Sequence, residues 1–174
     1  MDGVFYLSAA VGILATFMVI TRLNVVHALL YLIVSFFSIA IIFFLLGAPF
    51  VAALEIIIYA GAIMVLFVFV IMMLNLGSKS VKQESLLLQP GSWIGPSVLS
   101  GVLILELVYM MAHAGNTPVS SHAEIAPKQI GIALFGQYAI GVELASMLLL
   151  AGLVGAYHLG SRRSVDSSSR RGNK

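Results

Sequence analysis

Residues 51–74 decide the fold, and they read VAALEIIIYAGAIMVLFVFVIMML. Apart from Glu55 the stretch carries no charged residue. At a rise of about 1.5 Å per residue, an α-helix of this length crosses roughly 30 Å of hydrocarbon. We therefore expect a transmembrane helix here, and the rest of the chain follows the same pattern.

The composition of the whole chain is that of a membrane protein. Of its 174 residues, 60% are hydrophobic and 9% are charged, and the mean hydropathy is +1.07. So few charges cannot cover a water-soluble core, which favours an all-α integral membrane protein. Cysteine is absent, which excludes disulfides, thiolate zinc sites and iron–sulfur ligation by cysteine. We therefore expect no redox centre on this chain.

Four more apolar runs are predicted to span the membrane, which makes five transmembrane helices: 4–20, 28–46, 51–74, 93–111 and 134–159. The break at 47–49 is so short that the second and third spans are predicted to form an antiparallel hairpin. Residues 118–131 suit a loop or a short interfacial helix. We predict one transmembrane domain over 1–160, followed by a basic, disordered tail over 161–174.

The basic residues predict the orientation of the chain. In a five-span arrangement only Lys128 lies on one side, and the other side holds Arg22, Lys79, Lys82, Arg162, Arg163, Arg170, Arg171 and Lys174. Cytoplasmic loops retain lysine and arginine. The N-terminus is therefore predicted outside and the C-terminus in the cytoplasm.

Three carboxylates lie within the apolar runs, where a charge costs on the order of 3 kcal/mol and usually faces a partner, water or a proton path. Glu55 has Tyr59 at i+4, so we favour proton conduction over a structural hydrogen bond to a neighbouring subunit. Glu143 has Ser146 at i+3 and leaves both interpretations open. Glu106 lies near the outer end of its span and is expected to reach the headgroup region.

Gly61 interrupts a β-branched helix and leaves the backbone able to deform or to approach a neighbour. A hinge or a tight helix crossing is expected. From the residues alone, simple small-residue packing of Ala60, Gly61 and Ala62 is the favoured alternative. Nothing in the spacing demands a π-bulge, which is rare in helices.

The remaining polar and aromatic residues give no cofactor site. His27 and His158 are predicted at cytoplasmic helix ends as interfacial residues, not as joint haem ligands. Tyr31 and Trp93, with most of the other tyrosines, suit an aromatic belt near the span ends. No nucleotide-binding or acyl-transfer motif is present, and we expect no nucleic-acid partner.

Several motifs resemble one known family. The segment ALEIIIYAGAIMVLFVFVIMMLNL at 53–76 closely resembles the third helix of subunit J of bacterial respiratory complex I, the family of mitochondrial NADH dehydrogenase subunit 6. The same family's pattern is present in HALLYL at 27–32, WIGP at 93–96 and VELASMLLLAGLV at 142–154. The resemblance covers nearly the whole chain up to about residue 160.

The resemblance implies a non-redox, membrane-arm subunit of proton-pumping NADH:quinone oxidoreductase in the bacterial cytoplasmic (inner) membrane. Its partners would be the quinone-proximal and antiporter-like subunits and the lipid bilayer. NADH, FMN, iron–sulfur clusters and quinone would be bound by other subunits. No cofactor is expected on this chain.

The resemblance also implies site residues. The family's third helix can carry a π-bulge over the segment that matches 59–65, and its change to regular α-helix is thought to open or close a water path. Glu55, Tyr59, Gly61 and Val65 match that motif and inherit its roles in proton transfer or gating. Glu143 joins them as a candidate for the proton path.

The chain departs from the family pattern at Asn24-Val25, where the family often has Asn-Pro, so a less rigid turn is expected. Glu106 and the basic tail lie outside the pattern. Two other functions stay open: a small subunit of a cation/proton antiporter or membrane hydrogenase, and a structural scaffold. The scaffold predicts that Glu55, Tyr59 and Gly61 tolerate substitution if volume is kept.

Overall fold

A computed structural model of the chain describes residues 2–74, 90–113 and 125–160, and all secondary structure within these ranges is helical. The elements are α1 (Asp2–Thr21), α2 (Val25–Leu45), α3 (Pro49–Leu54), a π-helix (Glu55–Ile63), α4 (Met64–Leu74), α5 (Pro90–His113), α6 (Pro127–Phe135) and α7 (Ala139–Gly160). The predicted tail at 161–174 lies outside the described residues, as do 75–89 and 114–124.

Within the described residues, five helices are long and apolar enough to cross a membrane: Gly3–Thr21, Val25–Leu45, Pro49–Met73, Trp93–His113 and Ala139–Gly160. The predicted all-α fold with five spans is therefore confirmed. α3, the π-helix and α4 follow one another without a break and form the third span. The orientation of the termini stays a prediction.

The fifth span begins later than predicted. The sequence indicated one helix over 134–159, but α6 ends at Phe135 and a turn over 136–138 precedes α7. In this turn the Tyr138 N–H donates to the Ala133 carbonyl oxygen at 3.1 Å. A Cβ at Gly136 would lie 2.6 Å from the Ile132 carbonyl oxygen, so glycine suits this exit from the helix. The apolar composition concealed the turn.

The chain divides into two compact units, Met1–Ala126 and Pro127–Lys174. In the first unit, α1 packs along α2, and α2 also packs against the third span and α5. The second unit contains α6 and α7, which contact each other. α6 supplies a helix for the last part of the segment predicted as a loop or short interfacial helix. The single domain expected over 1–160 stays a prediction.

Two short turns connect the first three spans. Asn24 Oδ1 accepts a hydrogen bond from the Val26 N–H at 3.0 Å, so the Asn24 side chain caps α2 although no proline follows it. After α2, Gly47 adopts a φ of 79°, which a side chain would disfavour. Pro49 then opens α3 as a preformed first helical residue.

The apolar core of the first unit is small and lies where α1, α2 and α5 meet. Val11 and Ala15 of α1 pack there with Val34 of α2 and Leu103 of α5. Ala15 is the smallest of the four side chains and is fully buried. The same three helices also enclose the polar contacts described below.

Two residues predicted near the ends of the spans are buried where α2 meets α5. His27 is 6% exposed, and its ring centroid lies 6.4 Å from that of Trp93. Tyr31 is 3% exposed, and a Cβ at Gly95 would overlap its hydroxyl group. Packing between helices, which hydropathy along one helix does not show, therefore encloses both side chains, and their depth near the membrane interface stays a prediction.

Candidate functional site

The third span changes its hydrogen-bonding pattern in the middle. Over Glu55–Ile63 the backbone forms a π-helix, between the α-helical segments Pro49–Leu54 and Met64–Leu74. At its end the Met64 N–H donates to the carbonyl oxygen of Tyr59, five residues earlier, and also to that of Gly61. Most π-helices are single-turn bulges, and many of those mark functional sites. A stretch of nine residues is therefore unusual.

The position of the π-helix differs from the implied bulge. The resemblance implied a bulge over 59–65, whereas the π-helix begins at Glu55 and ends at Ile63. Tyr59 and Gly61 lie inside it, and Glu55 is its first residue. Val65 lies just beyond it in α4, with a half-exposed side chain. Four of the five predicted site residues thus lie in or next to the π-helix.

Gly61 belongs to the π-helix for a local reason. A Cβ at this position would lie 3.2 Å from the carbonyl oxygen of Ile56, which is the π-type acceptor five residues earlier. Within the described residues, no atom of another helix comes within 4 Å of that Cβ position. Among the described residues of the first unit, no other helix crosses tightly at Gly61, and a crossing with a neighbouring subunit stays a prediction. The absence of a side chain at Gly61 leaves room for the Ile56 carbonyl oxygen of the same helix.

Glu55 and Tyr59 lie in the first half of the third span. Glu55 is half-buried, and the Tyr59 side chain is 47% exposed. The Tyr59 ring packs against Phe36 of α2, with a centroid distance of 5.6 Å and an interplanar angle of 48°. Within the part of the chain that the structure describes, no direct hydrogen bond joins Glu55 to Tyr59. A proton path from Glu55 to Tyr59 through an intervening group stays a prediction.

After the π-helix, Met64 is the one deeply buried side chain among the described side chains of α4. Met64 is 1% exposed, whereas nearly all the large apolar residues that follow it in α4 are exposed. α4 is therefore held to the first unit mainly through its first residue.

Glu143 belongs to α7 of the second unit, and its side chain is exposed. The Ser146 hydroxyl donates to the Glu143 backbone carbonyl at 2.7 Å. Ser146 therefore satisfies its hydrogen bond on its own helix, and its proximity to Glu143 does not build a carboxylate site.

The prediction for Glu106 is wrong. Its side chain is 5% exposed, and the Ser8 hydroxyl of α1 donates to Glu106 Oε1 at 2.9 Å. Glu106 stands seven residues before the end of α5, which places it roughly 10 Å inside the helix end. The carboxyl group therefore points into the interface between helices and not toward the headgroups. The hydrogen bond from Ser8 of α1 fixes the direction of the Glu106 side chain.

Ser8 belongs to a row of hydroxyl groups between α1 and α2 that the sequence analysis did not identify. Ser38 of α2 donates to the Ser8 carbonyl oxygen, and both serines are fully buried. Farther along, the Thr16 and Ser35 hydroxyl oxygens lie 2.9 Å apart. Lone serines in apolar runs were the available signal, but their pairing depends on how two spans face each other.

An apolar cavity of about 500 Å³ lies between α2, α3 and α5. Its walls include Phe37 and Phe44 of α2, Ala53 of α3 and Leu107 of α5. Neither Glu55 nor Glu106 lines it. The cavity therefore offers volume for an apolar group and no chemistry of its own.

Comparison with known proteins assigns the family. The sequence model of the family described as NADH-ubiquinone/plastoquinone oxidoreductase chain 6 matches residues 15–159. The chain belongs to this family. The match includes all of the π-helix, together with both flanking helices.

Individual relatives agree with this assignment. The NADH-quinone oxidoreductase subunit J of Pseudomonas aeruginosa is 58% identical over 160 residues, which cover 92% of this chain and 96% of the relative. Subunit J of Escherichia coli K12 is 51% identical over 180 residues, with 98% and 97% covered. Subunit J of Buchnera aphidicola from Acyrthosiphon pisum is 47% identical over 168 residues, with 97% and 98% covered. The family predicted from the motifs is therefore confirmed.

Proposed function

We propose that the chain is a membrane subunit of proton-pumping NADH:quinone oxidoreductase that couples quinone reduction to proton translocation through its third span. The names of its relatives and its five apolar helices support this. It is a multi-pass protein of the bacterial cytoplasmic membrane, between quinone-proximal and antiporter-like subunits. Other subunits bind NADH, FMN, iron–sulfur clusters and quinone, and this chain has no catalytic activity of its own.

The nine-residue π-helix carries the proposal. A π-helix holds one more residue in its hydrogen-bonded ring than an α-helix does. Its conversion to α-helix therefore rotates α4 about its axis relative to α3, by the angle of roughly one residue, about 100°. Because α4 beyond Met64 is mostly exposed, this rotation changes which side chains face the neighbouring groups, and, of the α4 side chains that the structure describes, Met64 is the one deeply buried group that has to move.

The rotation gates proton transfer because Glu55 and Val65 lie at opposite ends of the segment that changes. Glu55 is the carboxyl group at the first residue of the π-helix, and Val65 is a bulky apolar group just after it. In one state the apolar side chains that follow Tyr59 block the path from Glu55, and in the other they turn away. The redox chemistry of other subunits biases the two states.

The family assignment favours this function over a subunit of a cation/proton antiporter or membrane hydrogenase, because the named relatives are subunits of NADH-quinone oxidoreductase. A passive scaffold gives a different expectation. For a scaffold, neither the charge of Glu55 nor the backbone freedom of Gly61 matters if side-chain volume is preserved.

Glu55→Gln tests the role of the carboxyl group. Glutamine keeps the shape of the side chain and cannot carry the proton, so proton transfer in proteoliposomes is expected to fall more than NADH:quinone electron transfer in detergent. Both rates are measured on the same purified complex. Equal losses of the two rates would indicate a structural role for Glu55.

Tyr59→Phe tests the hydroxyl group separately from the ring. Phenylalanine preserves the packing against Phe36, so the complex is expected to assemble normally with a reduced ratio of protons to electrons. Tyr109→Phe is the matched control, because Tyr109 is also a half-exposed tyrosine in a span but lies on α5. If both variants pump alike, the Tyr59 hydroxyl takes no part in proton transfer.

A further inference from the structure

The carboxyl group of Glu106 lies in an interface of three helices that the proposed function does not use. It is 5% exposed and is held between α1 and α2 through Ser8, which in turn accepts a hydrogen bond from Ser38. The hydroxyl of Ser8 donates to Oε1, at 2.9 Å. The other oxygen, Oε2, is buried and has no hydrogen-bond partner among the described residues.

Within the described residues, no cation of the surrounding helices faces Glu106. The three helices packed here, α1, α2 and α5, contain no lysine or arginine, and their one other carboxylate is Asp2, at the start of α1. Their remaining titratable groups are tyrosines and histidines, and within the described residues none is hydrogen-bonded to Glu106: Tyr6, His27, Tyr31, Tyr109 and His113. Among the described residues, an ionised carboxylate here would thus be stabilised by Ser8 alone, through its hydroxyl and its backbone.

The energetics favour a bound proton. An unpaired charge buried in an apolar medium costs several kcal/mol, whereas a neutral polar group that lacks one hydrogen bond costs about 1–3 kcal/mol. Since Ser8 donates to Oε1, that oxygen is the carbonyl-type acceptor and the proton belongs on Oε2. This arrangement needs neither a cation nor a second donor, which matches the residues present.

We propose that Glu106 is a second proton-binding site in the membrane interior, a neutral carboxylic acid whose proton is on Oε2 and whose Oε1 accepts a hydrogen bond from Ser8. The site lies between α1, α2 and α5, away from the third span that contains Glu55. The ligand is a single proton. The proposal does not depend on gating by the π-helix, since it concerns a different set of helices.

Infrared spectroscopy of the purified complex at neutral pH tests the proposal. A protonated carboxyl group has a carbonyl stretching band that a carboxylate lacks. Comparison of wild-type and Glu106→Gln complexes is expected to show one such band in the wild type only, and the band should shift in deuterated buffer. Glutamine preserves the size of the side chain and a carbonyl acceptor for Ser8, so the complex is expected to assemble.

Ser8→Ala tests the hydrogen bond at the same time. A carbonyl group that loses a hydrogen-bond donor absorbs at higher frequency, so the Glu106 band is expected to move upward and to remain present. Ser146→Ala is the control, because Ser146 donates to a backbone carbonyl of α7 and should leave the band in place. The comparison of Ser8→Ala with Ser146→Ala tests the proposal even if the Glu106→Gln complex does not assemble.

Two results would overturn the proposal. In the first, the Glu106→Gln and wild-type spectra coincide in the carboxylic acid region, which would mean that Glu106 holds no proton. In the second, Ser8→Ala leaves every carboxylic acid band unchanged, as Ser146→Ala does. Neither result depends on proton pumping, so the failure of this proposal and the failure of the proposed function are distinguishable.

Discussion

Gly61→Ala is expected to shift the third span from π-helix toward α-helix. The added Cβ would lie 3.2 Å from the Ile56 carbonyl oxygen, closer than the 3.4 Å at which ordinary van der Waals contact begins. In an α-helix the hydrogen-bonded carbonyl is four residues back, so the close approach to Ile56 is particular to the π form. The added methyl group therefore raises the free energy of the π-helical state of the third span relative to the α-helical state.

The size of the effect follows from the distortion required. To move the oxygen away by a few tenths of an ångström, the backbone must open by a bond-angle change of about 7°, which costs about 1 kcal/mol. The ratio of π to α states then falls roughly fivefold, because about 1.4 kcal/mol corresponds to a factor of ten. Gly61→Val adds branched carbons at the same place and is expected to act more strongly.

The assay compares proton pumping with electron transfer in assembled complexes. In proteoliposomes, Gly61→Ala is expected to lower the number of protons moved per electron by up to about fivefold, with electron transfer in detergent much less affected. Electron cryo-microscopy of the same complexes measures the fraction with a π-helix. Gly101→Ala is the control, because a Cβ at Gly101 meets nothing within 4 Å.

The reasoning is refuted if Gly61→Ala complexes pump as well as Gly101→Ala complexes while the π-helix remains fully populated. A variant that becomes α-helical and still pumps normally would contradict gating but not the account of the π-helix. Loss of assembly in Gly61→Ala would contradict both, since no neighbouring helix of this chain contacts the site among the described residues.

Two further predictions concern the packing of α2. Gly95→Ala should destabilise its contact with α5 by about 1–3 kcal/mol, because the new Cβ overlaps the Tyr31 hydroxyl; heating the purified complex and measuring how much of the chain remains bound checks this. Tyr31→Phe in the same protein should restore part of the loss, and no restoration would place the clash elsewhere. Asn24→Ala removes the cap of α2 and should cost about 1 kcal/mol in the same assay, whereas Asn24→Asp keeps the acceptor oxygen and should cost less.

Sequence reasoning predicted well what depends on one helix at a time. The five spans and the short connection at 47–49 follow from apolar length and turn residues. One error lies within a single span, the turn over 136–138, and the others concern relations between helices. Glu106 was expected to reach the headgroups, yet Ser8 of another span holds it inside.

The π-helix shows the limit most clearly. The spacing of residues 55–63 is compatible with α-helix, and Gly61 by itself favoured small-residue packing; only the resemblance to a known family implied a bulge. In the structure, the position of a Gly61 side chain lies close to a carbonyl oxygen of its own helix, that of Ile56. Such a contact depends on the hydrogen-bond register of the helix, which composition does not encode.

The sequence alone thus determined that the chain spans a membrane five times, because the cost of burying polar groups in hydrocarbon depends on length and residue type. It also determined where intramembrane carboxyl groups lie along each span. Only the tertiary structure decided which of them are enclosed. Whether a carboxyl group meets a hydroxyl donor, a ring or open surroundings depends on which faces of two helices meet, and that is settled by packing between segments far apart in the chain.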